Sequence, residues 1–197
     1  MNRDLIFRTS LAVIVALLLG IRIYYIKHMS ESHNTVTANS RGRVIKFLAW
    51  TLGIVGDLTV AIYIFAPKWL DFATLPFPDG LRWTGVGLGL ISIPLFLWAH
   101  HSLGKEFNYP GAIKEEQTLV ITGLYQWVRH PIYTSYFIWT LAFLLISTNG
   151  LIAIIWLMLS LAIASNVGLE ESALIEKFGE AYRDYMGRSG RFLPRLR

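Results

Sequence analysis

Residues 131–169 contain no Asp, Glu, Lys or Arg, a run of 39 residues broken only by the turn-forming pair Asn149-Gly150. A membrane span needs about 20 mostly apolar residues. Lipid offers no water to satisfy bare backbone amides, so such a segment must be helical. The run therefore predicts two helices, 132–148 and 150–169, folded back on each other as a tight hairpin. Three further apolar stretches, 5–26, 46–66 and 82–101, approach or meet the spanning length. Hydrophobic residues make up 54% of the 197 and charged residues only 16%, which excludes an ordinary soluble domain. The expected fold is an all-α integral membrane protein with five transmembrane helices, a tight hairpin of helices 4 and 5, and an amphipathic cytoplasmic C-terminal helix. Helices 1–3 occupy residues 1–99 and the chemistry-bearing region residues 100–197.

Lys and Arg resist translocation, so their distribution sets the orientation. If 27–45, 102–131 and the tail after 169 share one side, only Arg3, Arg8, Lys68 and Arg82 of the 18 Lys and Arg lie on the other. This predicts an N-terminus outside and a cytoplasmic C-terminus. Arg22-Ile-Tyr-Tyr-Ile-Lys27 offers no cleavage site, so the first apolar run is expected to be a permanent helix. The net charge of +5 crowds at helix ends and in the tail from Arg183 to Arg197, a placement suited to anionic lipid headgroups rather than nucleic acid. With no cysteine, disulfides, thiolate metal sites and a cysteine nucleophile are excluded.

Several isolated signals admit structural readings. Gly85, Gly87 and Gly89 lie inside an apolar helix rather than after a strand, so they lack the context of a dinucleotide loop, and Gly85 and Gly89 suit close helix packing. Pro94 should kink the same helix. Asp57 is the one acid deep in the second span, either functional or a hydrogen-bonded packing residue. His100-His101 point about 100° apart on a helix and lack a completing ligand set, so no metal is expected.

The C-terminal half carries a denser constellation. Pro131 suits the first turn of a helix, where its missing N–H costs nothing, and leaves Arg129 and His130 at the helix entrance. Free amides and the helix dipole there suit an anion. The hairpin returns the chain to the same surface, bringing Glu170 and Glu171 near His130. A carboxylate in the last turn of a span opposes the helix dipole and so needs a partner. Beyond it, Leu174, Phe178, Ala181, Tyr182 and Tyr185 repeat with helical spacing.

Arg129-His130-Pro131-Ile132-Tyr133, joined to the EExxLxxxFGxxYxxY pattern from Glu170 to Tyr185, resembles the isoprenylcysteine carboxyl methyltransferase family, small integral-membrane enzymes related to phospholipid N-methyltransferases. The resemblance covers about residues 100–197. It implies S-adenosylmethionine as cofactor, with S-adenosylhomocysteine as product, bound by Gln117, Thr118, Leu119, Val120, Tyr125, His130, Pro131, Ile132 and Tyr133. Glu170 and Arg129 take the catalytic positions, and Asn166 and Glu170 the substrate side. An arginine one turn before that glutamate in eukaryotic members is Asn166 here, and a glycine often found two residues after the Tyr is Ser135.

The implied function is methyl transfer to a lipophilic acceptor, foremost the carboxylate of a prenylcysteine-like substrate, with a lipid amine or hydrophobic thiol as alternatives. The implied partners are that acceptor and membrane lipids, with no nucleic acid and no metal. A sulfonium donor carries the difficult chemistry itself, so the protein must mainly align the reactants and exclude water. Readings of other classes are an NADPH-dependent sterol-type reductase and a non-enzymatic scaffold or small transporter.

Overall fold

The computed structural model describes residues 3–29, 40–106 and 118–195. Among these the regular structure is helical: α1 Arg3–Met29, α2 Ser40–Phe65, α3 Asp79–Leu103, α4 Pro131–Ser147, α5 Gly150–Ala164, α6 Val167–Phe178 and α7 Glu180–Arg188. Short 3-10 turns cover Pro67–Ala73, Gly104–Glu106 and Gly123–Gln126.

Among the described residues, four stretches are long and apolar enough to cross a bilayer: Arg3–His28, Gly42–Phe65, Asp79–Leu103 and Gly150–Phe178. The remaining apolar helix, Pro131–Ser147, has 17 residues, about 26 Å of rise. The molecule is thus a multi-pass membrane protein, and its surface follows. Phe47, Trp50, Leu58, Leu90, Ile154 and Leu161 are exposed, a pattern natural for side chains whose solvent is lipid.

The core lies between helices. Phe7, Leu11, Ile14 and Leu18 form one buried stripe of α1, following the 3.6-residue helical period. α3 packs most extensively on α4, with α1 on α3 and α2 on α5. Two glycines of α3 make that packing possible. A Cβ on Gly85 would fall 2.7 Å from Leu145 Cβ and 2.9 Å from the Ile146 nitrogen, and one on Gly89 would fall 2.7 Å from Ile14 Cδ1. Close helix packing is therefore the reason for these glycines, as the sequence suggested. Gly87, whose Cβ would meet nothing within 4 Å, takes no part.

The hairpin turn is built as Asn149-Gly150 predicts. Thr148 adopts a left-handed conformation at φ 51°. Asn149 Oδ1 then accepts from the Leu151 and Ile152 amides at 3.1 and 3.2 Å. Its Nδ2 donates to the Leu70 carbonyl at 2.9 Å. Within the hairpin, the Thr140 and Ser160 hydroxyls pair at 2.9 Å.

The Leu75 amide donates to the Thr148 carbonyl at 2.6 Å, so the 67–78 connection and the hairpin turn share one end. The N-terminus is pinned there too. Buried Arg82 donates to Asp4 at 2.7 Å and to the Ile146 carbonyl at 3.2 Å, with its guanidinium 3.9 Å above the Phe7 ring.

Two expectations change. The fifth apolar helix does not run unbroken over 150–169: it ends at Ala164, turns through Ser165-Asn166 and restarts at Val167. The C-terminal amphipathic pattern is likewise carried by two helices, because Gly179 interrupts it at φ +56°. That conformation is one a side chain disfavours.

Candidate active site

α4 begins at Pro131, with His130 as its N-cap residue. The Tyr133 and Thr134 amides both donate to the His130 carbonyl at 3.1 Å. Upstream, the TGLY segment reaches its place through Gly123 at φ +61°, where a Cβ would lie 2.1 Å from Ser102 Oγ. Only glycine meets both demands.

The C-terminal end then lies beside this segment. Arg129 and His130 amides donate to the Gly190 and Arg191 carbonyls at 2.8 and 3.1 Å, and the Gly190 amide donates to the Trp127 carbonyl at 2.9 Å. Val128 and Gly190 form an isolated parallel bridge. Thr134 Oγ1 donates to the Phe192 carbonyl at 2.6 Å. This strap, residues 189–192, sets the Phe192 ring 6.2 Å from His130 and 6.0 Å from Phe137.

His130 sits between two consecutive glutamates. Its Nδ1 is 3.7 Å from Glu170 Oε2, and its Nε2 approaches Glu171 Oε1 to 3.4 Å without hydrogen-bond geometry. The imidazole stacks on Tyr133 at 5.4 Å with the rings 7° from parallel. Glu170 Oε1 accepts from the Tyr133 hydroxyl at 2.6 Å and from Asn166 Nδ2 at 3.2 Å. The helical break at Asn166 starts the turn that lifts Glu170 toward α4.

Glu171 has the opposite environment. It is 3% exposed and accepts from Arg129 Nε at 2.9 Å and from Arg191. A buried carboxylate requires such partners. Arg129 also donates to the Met186 carbonyl at 3.3 Å and the Ser189 carbonyl at 2.5 Å. Its guanidinium therefore ties the segment before α4 to α6, to α7 and to Ser189 just after it.

Behind this pair, the Tyr185 hydroxyl donates to the Tyr125 carbonyl at 2.6 Å. Burial pushes the Tyr185 phenol up to about 12. The Tyr125 phenol is also raised, by burial first and then by nearby Tyr185 and Glu170. Both therefore stay neutral at ordinary pH.

The expected residues divide as follows. His130, Tyr133, Asn166 and Glu170 come together, with Pro131 opening the helix and Ile132 half-buried beside it. Tyr125 lies beneath them. Thr118 is tied to Glu106 through its amide and hydroxyl, at 3.2 and 2.9 Å, and half-buried Leu119 and Val120 follow it. Gln117 lies outside the described residues. Among the described residues, no cluster of three or more metal-ligating side chains forms. Asp57 is elsewhere, beside a small cavity shared with Arg22, Trp139 and Trp156.

Sequence reasoning missed the part played by Glu171, Arg191 and Phe192. The doubled glutamate was visible, but nothing in its spacing separates a site carboxylate from one committed to two arginines. Sequence places Arg191 in the basic, lipid-facing tail, whereas in the fold it pairs with Glu171.

Residues 85–176 match the isoprenylcysteine carboxyl methyltransferase (ICMT) family model. The resemblance seen in RHPIY and the paired glutamates is thus borne out. Among curated ICMT proteins, the protein-S-isoprenylcysteine O-methyltransferase of Xenopus laevis is 28% identical over 87% of this chain and 63% of its own length. The mouse protein is 30% identical over 87% and 64%, and the Dictyostelium discoideum protein 34% over 65% and 55%. The chain thus spans less than two thirds of the length of these relatives. The structure of a eukaryotic intramembrane Ras methyltransferase, ICMT, superposes with a TM-score of 0.52 at 23% identity, covering 81% of this chain and 54% of that one. That likeness is one of fold. The strap and α7 lie beyond the residues that the ICMT model matches.

Proposed function

We propose that the protein is an integral-membrane methyltransferase that moves a methyl group from S-adenosylmethionine to a lipophilic acceptor, the carboxylate of a prenylcysteine-like molecule. The observation that carries this reading is His130 held between Glu170 and Glu171 at the open end of a bilayer-length hairpin, within the region matching the ICMT family.

The residues present suit such a donor. The site combines a carboxylate, aromatic faces and a buried imidazole. A sulfonium is a cation, for which a carboxylate and π-faces are favourable neighbours. His130 and Tyr133 would line its pocket with Tyr125, and Thr118, Leu119 and Val120 would border it. When bound, the donor supplies an electrophilic methyl group and leaves as a neutral thioether.

The chain's own residues do the rest. Tyr133 and Asn166 fix Glu170 so that its charge faces the reactants in one geometry. Arg129 is a positioning residue, holding α4 to α6 through Glu171. An anionic acceptor and a cationic donor neutralise one another as they react, and a site closed to water favours that loss of charge. A carboxylate acceptor brings no proton, so Glu170 orders the site rather than acting as a base. α4, lengthened by its His130 turn, completes a fifth span. Arg129, Glu170 and the strap face the cytoplasm, and the Arg82 cluster faces the opposite side.

The test is purification in detergent and incubation with labelled S-adenosylmethionine and prenylcysteine, lipid-amine and hydrophobic-thiol acceptors. A product about 14 mass units heavier than the prenylcysteine acceptor is expected. No gain by any acceptor defeats the proposal.

A further inference from the structure

About 13 Å along α4 from the His130 site, helices α1, α2, α4 and α5 enclose a small cavity inside the membrane bundle. Arg22 of α1, Asp57 of α2, Trp139 of α4 and Trp156 of α5 line it, among apolar side chains. Both indoles are 3% exposed. Three of the polar atoms these residues carry are buried without a hydrogen-bond partner: Asp57 Oδ1, Trp139 Nε1 and Trp156 Nε1. Buried polar atoms are paired as a rule, because an unmet hydrogen bond is costly away from water. One acceptor and two donors around one cavity are complementary to a single ligand.

The backbone builds this arrangement. A Cβ on Gly56 would stand 3.1 Å from Trp156 Nε1, so the glycine lets the indole N–H lie against α2 next to Asp57. Arg22 reaches the same helix, because a Cβ on Gly53, one turn before Asp57, would lie 4.0 Å from its Nη1. Its charge acts on the Asp57 carboxyl, the pairing that an intramembrane acid needs. Trp139 and Trp156 pack edge to face with ring centroids 6.5 Å apart. The hairpin therefore delivers the two indoles together.

The chemistry of the ligand follows from these groups. It must accept from two indole N–H groups and donate to Asp57 Oδ1. A metal ion cannot accept from an N–H, and one carboxylate is no ligand set. An anion would accept from the indoles but meet the charge of Asp57. An apolar molecule would leave all three atoms unmet. Water both accepts twice and donates, and the cavity, about 10 Å³, has room for one such molecule.

We infer that this cavity is a binding site for a single ordered water molecule, which takes hydrogen bonds from Trp139 and Trp156 and gives one to Asp57. The water joins α2 to both arms of the hairpin that carries the His130 site. The acid that methyl transfer does not use is then a clamp between spans. This rests on the fold alone and holds whatever reaction the chain performs.

The experiment uses the full chain with isotope-labelled tryptophan in lipid nanodiscs, and NMR reads magnetisation transfer from the water resonance to each indole N–H. Trp139→Phe and Trp156→Phe assign the two signals by their loss. In the wild type both indoles should show a cross-peak to water, and its absence at either one overturns the inference. Asp57→Leu removes the acceptor that holds the water, so both cross-peaks should be lost. Their persistence in that variant overturns the role given to Asp57. If Asp57→Leu does not fold, the wild-type spectrum decides the matter by itself.

Discussion

Glu170 and Glu171 are neighbours in sequence with different work to do. Glu171 is enclosed by Arg129 and Arg191, and removing its charge leaves a buried guanidinium unpaired. Glu170 accepts from a tyrosine hydroxyl and an amide and borders the His130 imidazole, with no arginine among these contacts. The two glutamines should therefore fail differently. Glu171→Gln is expected to lose roughly 3 kcal/mol of stability, read as a lower Tm in detergent. Glu170→Gln should keep its Tm and lose about 100-fold in kcat, the scale of a lost preorganised electrostatic contact. Equal loss of Tm in both would show that the split assigned to them is wrong. His130 and Glu170 were legible in sequence because a proline at a helix start and a bilayer-length apolar run fix where they must lie. The roles of Glu171 and Arg191 were not, since pairing across 20 residues depends on how the tail folds back.

At the scale of elements, helix length and type followed from apolar runs, but the breaks did not. A helix and a helix with a one-turn interruption bury similar residues, so the turn at Ser165-Asn166 has no hydrophobic signature. Gly179 was visible as a residue that tolerates a positive φ, yet glycine alone does not say that one is used. Packing between spans is more explicit. Gly85 meets the α4 backbone and Gly87 meets nothing, although both look alike in sequence. Gly85→Ala should destabilise the protein by about 1–3 kcal/mol through overpacking, and Gly87→Ala should change stability by no more than about 0.5 kcal/mol. Thermal unfolding of the two variants side by side checks this, and comparable losses would contradict the assigned helix contacts.

For the whole molecule, the two ends have distinct chemistry. One end gathers Asp4, Asp79 and Arg82 with the hairpin turn, and the other gathers Arg129, Glu170, Glu171 and the strap. The chain has no cysteine, so single cysteines report topology without background. In sealed vesicles of known orientation, Arg195→Cys should react with an impermeant maleimide only from the cytoplasmic side, and Lys68→Cys only from the opposite side. Both residues are exposed. Labelling of both from one side would refute the proposed arrangement.

The sequence by itself determined that the chain is helical and lodged in a membrane, where the hairpin turns, and that RHPIY and the paired glutamates meet. Each of these follows from local chemistry: backbone amides that lipid cannot satisfy, a proline confined to a first turn, and an apolar run of fixed length. Only the tertiary structure decided which glutamate is neutralised, that the tail returns to pair with residues 127–130, and that Asp57 shares a cavity with Trp139 and Trp156. Those outcomes depend on contacts between segments far apart in the chain, where several partners of equal chemistry compete and geometry alone chooses among them.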